Sequence, residues 1–118
     1  MTEQLERRKF PRLFALVDVF YEKEPPQEKE KLTLTKNISK GGICLIAYEE
    51  LKKDEILNLK IYLPDEELPV VAKGRVAWAK EFIIGDYLTG RRFDVGIEFI
   101  EINDSDLEKI NRYIFAHI

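Results

Sequence analysis

The chain has 118 residues, enough for one domain and too few for two. Hydrophobic residues make up 45% and charged residues 35%, an ordinary globular balance. With 19 Lys and Arg against 22 Asp and Glu, the net charge of −3 argues against a general nucleic-acid binder, so any anion site must be local.

Residues 1–12 carry Arg7, Arg8, Lys9 and Arg12 against Glu3 and Glu6. A basic cluster on an acidic protein reads either as a discrete anion site or as a solvated arm. Pro11 fixes its own backbone and disfavours helix around it, so the segment is an extended, partly stiffened strip. The expected organisation is a flexible basic arm over 1–12, then one domain over 13–118 ending in a helix over 102–118.

Period-two alternation dominates the chain from Leu13 to Phe99. Leu13 to Tyr21 is rich in β-branched and aromatic residues, and Leu32 and Leu34 alternate with Thr33 and Thr35. Ile43 to Ala47 is a short apolar strand. Leu57, Leu59, Ile61 and Leu63 alternate with polar residues, and Val70, Ala72, Val76 and Trp78 share one parity with Gly74 between them. Phe93, Val95, Ile97 and Phe99 form the last run. Turn chemistry separates these runs at Glu24-Pro25-Pro26-Gln27, Lys40-Gly41-Gly42 and Pro64-Asp65-Glu66. Residues 79–92 form a longer connection or an extended hairpin with Gly85-Asp86 as its tip. Six half-buried strands with regular turns predict an all-β antiparallel sandwich or barrel. The period then changes. Leu107, Ile110, Ile114 and Ile118 define a helical stripe, and Ser105 with Glu108 reads as a capping box.

Enzyme chemistry finds no constellation here. The lone histidine, His117, sits at the end of the helix, where it meets the negative helix terminus. One His and one Cys make no zinc site, and no nucleophile–base pair or triphosphate-binding loop is visible. Cys44 precludes an intrachain disulfide and reads as a small core residue. Charges begin at Glu3 with no apolar stretch behind them, so no signal peptide is expected. No apolar run nears the roughly 18 residues of a membrane span. The expected location is the cytoplasm, with no membrane insertion, no cofactor and no metal.

Two segments carry polar chemistry. Arginine forks in Glu6-Arg7-Arg8-Lys9-Phe10-Pro11-Arg12 can meet phosphate oxygens or the O6/N7 edge of guanine in pairs. In Asn37-Ile38-Ser39-Lys40-Gly41-Gly42, Ile38 points inward and leaves Asn37 and Ser39 on the opposite face. Gly41 and Gly42 permit either positive φ or a close backbone approach. Taken alone, this second segment reads equally as a capped turn.

Together, Arg8-x-x-x-Arg12 and Asn37-x-Ser39-x-x-Gly42 resemble the paired signature of PilZ domains, bacterial receptors for cyclic di-GMP. The resemblance extends over residues 6–118, through Gly74-Arg75-Val76-Ala77-Trp78 and Asp94-Val95-Gly96-Ile97-Glu98-Phe99. It implies a six-stranded antiparallel barrel with a C-terminal helix, and no catalysis. It also implies that Arg8 and Arg12 grip a guanine and the phosphates, that Asn37 and Ser39 contact a guanine, and that Gly42 allows the turn. An arginine at Arg7 goes with a stacked ligand dimer in that family. Ordering a loose arm would cost on the order of 10 kcal/mol, so several charge-assisted bonds are needed to dock it. The docked arm would present a new surface to a protein partner in motility, polysaccharide export or regulation. The rival is a module that binds no ligand. Residues 82–88, apolar for a connection, form either a partner surface or simply more hairpin.

Overall fold

The computed structural model describes residues 10–24 and 30–117. Its elements are β1 (Arg12–Phe14), β2 (Asp18–Glu24), β3 (Lys31–Ser39), β4 (Gly42–Ala47), β5 (Ile56–Tyr62), β6 (Val70–Ile83), β7 (Arg91–Ile102) and α1 (Asp104–His117). The strands run in the order β1-β3-β2-β5-β6-β7-β4, and β3 also pairs with β4. That last pairing closes β2 to β7 into a six-stranded antiparallel barrel, with β1 outside the ring. The expected barrel with a C-terminal helix is therefore present. The stretch Leu13 to Tyr21 is divided, because β1 and β2 lie end to end along the same edge of β3. Thr35 joins the two pieces: its hydroxyl accepts from Val17 N at 3.0 Å and donates to the Ala15 carbonyl at 2.7 Å.

Alternation places the core. Val17, Val19 and Tyr21, then Leu57, Leu59 and Ile61, then Val70, Ala72 and Val76, and Val95 with Ile97 all point into the barrel. Three register shifts interrupt the ladders, one of them between Lys73 and Gly74 against β7, and the other two correct the simple parity of β3 and β6. In β3 the register against β4 shifts between Thr35 and Asn37. The extra residue, Lys36, puts Ile38 in phase with Thr33 and Thr35 rather than with the leucines. Thr33 and Thr35 are buried, while Leu32 and Leu34 are 54% and 38% exposed. The threonines tolerate burial because their hydroxyls donate to the Ile46 and Ala15 carbonyls.

The shift that changes the parity of β6 lies between Val76 and Trp78. Ala77 is the extra residue, and it turns Trp78 out of the core parity onto the outer face, where it is 45% exposed. Residues 79–92 prove to be an extended hairpin. Its strands continue past the barrel to Ile83 and Arg91. Its tip is held by Gly90 N and Thr89 N on the Asp86 carbonyl and by Leu88 N on Asp86 Oδ1, with Gly85 at φ +72°. Ile83, Ile84, Tyr87 and Leu88 remain exposed there.

The helix α1 lies against β3, β6 and β1 and buries Ile110 and Ile114. Its cap is Asn103 rather than Ser105: Asn103 Oδ1 accepts from Asp106 N at 2.8 Å, and its carbonyl accepts from Leu107 N. At the other end His117 Nδ1 lies 2.8 Å from the Tyr113 carbonyl, the contact with the helix terminus that the sequence suggests. Among the described residues, no helix is long and apolar enough to cross a membrane.

Candidate functional site

Strand pairing brings the two polar segments together. β1 runs along the end of β3, so that Arg12 stands across from Ser39 and Phe14 across from Asn37. Residues 23 to 27 apart in sequence thereby become neighbours. Because paired residues share a face, two rows run across the outside of the barrel. One holds Arg12, Ser39, Gly42, Glu98 and Arg75, and the other Phe14, Asn37, Cys44, Gly96 and Trp78. The middle of both rows is small: Gly42, Cys44 and Gly96. Taller side chains stand on either side. The result is an open cleft of about 180 Å³, with Arg12, Asn37 and Ser39 on one flank and Trp78 and Glu98 on the other.

Each glycine in the second segment has a steric cause. A Cβ on Gly42 would lie 1.9 Å from the Ile97 carbonyl oxygen, so the residue permits a close approach of β4 to β7. A Cβ on Gly41 would lie 3.0 Å from the Phe10 ring, which packs on this turn with Lys40 Nζ 5.9 Å from its centroid. Positive φ is required at neither, since among the described glycines only Gly85 adopts it. On the cleft floor, Gly96 lies directly beneath the Trp78 indole, where a Cβ would come within 2.2 Å of the ring nitrogen.

The polar groups differ in how far they are already committed. Ser39 Oγ accepts from Gly41 N at 3.1 Å and Gly42 N at 3.2 Å and donates to the Gly42 carbonyl at 3.3 Å. One donor and two acceptors are all that a hydroxyl offers, so this one is occupied in shaping the turn. Asn37, half-buried, and Arg12, exposed, form no side-chain hydrogen bond or ion pair among the described residues. Glu98 accepts from Arg75 Nη2 at 2.9 Å. Cys44 is buried on the floor, where burial, then the charge of Asp94, pushes its thiol above the ordinary value. A thiol so raised is a poor nucleophile, in keeping with a packing role.

Arg7 and Arg8 lie outside the described residues, as does Lys9. Arg91 and Arg92, the other arginine pair, are on the hairpin and line none of the cleft: Arg91 pairs with Glu81, and Arg92 lies over the Tyr48 ring at 4.5 Å. Sequence reasoning missed Trp78 and Glu98 as cleft residues. Trp78 was hidden by the bulge at Ala77. Glu98 carried a usable signal, since it alternates with Ile97 and Phe99 on the polar side of β7. Among the described residues, no group of three His, Cys, Asp or Glu side chains could hold a metal ion.

A model of the PilZ domain family matches residues 6–116. Among curated proteins, the chain is 39% identical over 67 residues to the uncharacterized protein YpfA of Bacillus subtilis (strain 168), which is 55% of this chain and 30% of that protein. Among solved structures it superposes on the Bacillus subtilis inhibitor of motility MotI/DgrA with a TM-score of 0.72 at 28% identity, over 93% of this chain and 50% of that one. The PilZ domain of Escherichia coli YcgR, solved with cyclic di-GMP, superposes with a TM-score of 0.72 at 11% identity, over 94% and 91% of the two chains. That second likeness is one of fold. The chain spans less than a third of the curated relative and half of the motility inhibitor.

Proposed function

The chain belongs to the PilZ domain family, and on that premise we propose that it is a receptor for cyclic di-GMP that senses the ligand without transforming it. The observation that carries the reading is the β1–β3 pairing, which puts the arginine of one motif and the asparagine of the other on one rim of an open cleft. Arg12 supplies a guanidinium for a phosphate or a guanine edge. Asn37 supplies an amide for a base edge. Ser39 and Gly42 build the turn between them, and Gly41 accepts the ring of Phe10. Arg8 completes the grip on the ligand, and Arg7 engages a second, stacked ligand. Trp78 offers an indole face beside the cleft floor, suited to stacking on a purine.

Ligand capture closes the basic arm over the cleft, and the docked surface signals to a protein partner in the cytoplasm. The likeness to an inhibitor of motility favours the motility apparatus over polysaccharide export or a regulator as that partner. The exposed hairpin tip, with Ile84, Tyr87 and Leu88, is the surface best suited to contact it. Because the same tip would serve a module that binds no ligand, the deciding experiment is direct. Calorimetric titration should show selective binding of cyclic di-GMP over GTP and a short single-stranded oligonucleotide, with the stoichiometry separating one ligand from a stacked pair. Arg12→Ala should weaken binding by about 2 kcal/mol, roughly thirtyfold. Absence of binding at high micromolar ligand sinks the receptor reading in favour of a ligand-free interaction module.

A further inference from the structure

Glu98 is anomalous. It is the one carboxylate among the described residues lining a cleft whose proposed ligand is a dianion. A solvated carboxylate close to a phosphate is repelled, so it can be accommodated only where the ligand presents donors instead. Guanine has such a face. Its N1–H and N2 amino group point the same way and suit the two oxygens of a carboxylate. The far flank of the cleft, away from Arg12, is where that face would fall.

The geometry is specific. Glu98 pairs with Gly42 on one side and Arg75 on the other, and both pairs lie on the row that begins at Arg12 and Ser39. From β1 across β3 and β4 to β7 is three strand spacings, about 14 Å of backbone, with side chains reaching inward from both ends. Arg75 Nη2 holds Glu98 Oε1 at 2.9 Å, while Oε2 has no partner among the described residues. The carboxylate is thus oriented but not saturated. On the other rim, Asn37 offers only a neutral amide, a weaker acceptor for guanine N–H groups.

We propose that Glu98 is a specificity-determining residue that reads the N1–H and N2 amino edge of a guanine of the bound cyclic dinucleotide, with Arg75 fixing its orientation. The proposal rests on the cyclic di-GMP reading and extends it to the opposite flank of the cleft. The phosphates turn toward Arg12 and the guanine edge toward Glu98, and the Trp78 ring lies over Gly96 on the Glu98 flank.

The test compares cyclic di-GMP with cyclic di-inosine monophosphate, which lacks the N2 amino group, on the wild type, Glu98→Gln and Glu98→Ala. Wild type should prefer the guanine ligand by roughly 10- to 100-fold, the effect of one hydrogen bond to a charged acceptor. Both variants should melt within a few degrees of wild type, because an exposed ion pair contributes little to stability. They should bind cyclic di-GMP more weakly and lose most of the preference. Variants that keep the wild-type preference overturn the role of Glu98 while leaving the receptor reading intact. A wild type that binds neither ligand overturns the receptor reading, and the role of Glu98 with it.

Discussion

At Gly42, two strands approach too closely for any side chain, and the atom in the way is backbone. The Ile97 carbonyl oxygen sits 1.9 Å from where a Cβ would stand, and it cannot rotate aside. At Gly41 the obstacle is the edge of the Phe10 ring at 3.0 Å, which belongs to a side chain that can shift. The two neighbours should therefore respond differently to the same change. Gly42→Ala should destabilise by about 2 kcal/mol or more, because β4 and β7 must part. Gly41→Ala should change stability much less and should act on ligand affinity, since it displaces the ring packed on the turn that carries Ser39 and Gly42. Urea denaturation of both variants, alongside cyclic di-GMP titration, separates the two effects. Equal destabilisation by the two would contradict the backbone contact at Gly42.

The helix shows how an element takes its boundaries from its surroundings. Four successive residues, Asn103, Asp104, Ser105 and Asp106, could each cap it. The spacing of Ser105 and Glu108 favours one choice, but β7 runs to Ile102, and the helix must begin so that Ile110 and Ile114 face the barrel. That leaves Asn103 as the cap. It also carries Asp106 inward to 7% exposure, where Oδ2 accepts from Val71 N at 3.1 Å. Asp106→Ala should lower the unfolding free energy by about 2 kcal/mol, Asn103→Ala by about 1 kcal/mol, and Ser105→Ala by almost nothing, as read from denaturant midpoints. The strands follow the same logic. Leu57, Leu59 and Ile61 declare their inward face because nothing interrupts the alternation. Leu32, Leu34 and Trp78 do not, because a bulge adds one residue and local composition carries no mark of it. Lys36 and Ala77 look like ordinary strand residues; only the need to close the ring gives them their role. Arg12, Asn37, Ser39 and Gly42, singled out through the resemblance of their two motifs, line the cleft, whereas Trp78 entered it only through the bulge.

At the scale of the whole barrel, the carboxylate of Glu49 ties the connection from β4 to β5 back to β2 and β3. Glu49 Oε2 accepts from the Tyr21 hydroxyl and from Lys31 Nζ, each at 2.7 Å, and Lys23 Nζ lies 3.4 Å from Oε1. Burial alone raises this carboxyl, but the hydrogen bonds from Lys31 and Tyr21 and the charge of Lys23 outweigh it, and the group titrates below its ordinary 4.5. A carboxylate lowered in the folded state contributes stability that is present above its unfolded value and lost as pH falls through the folded one. With the side chain 25% exposed, the contribution is on the order of 1 kcal/mol. Glu49→Gln removes it at every pH. The variant should therefore be less stable than wild type near pH 7 by about that amount. Its stability should also fall less steeply on acidification, so that the two curves converge once Glu49 is protonated. Urea titrations from neutral pH down into the acid range measure both curves. A constant gap at all pH values would assign the loss to packing of Tyr21 against the neutral side chain and not to the charge that joins the connection to β2 and β3.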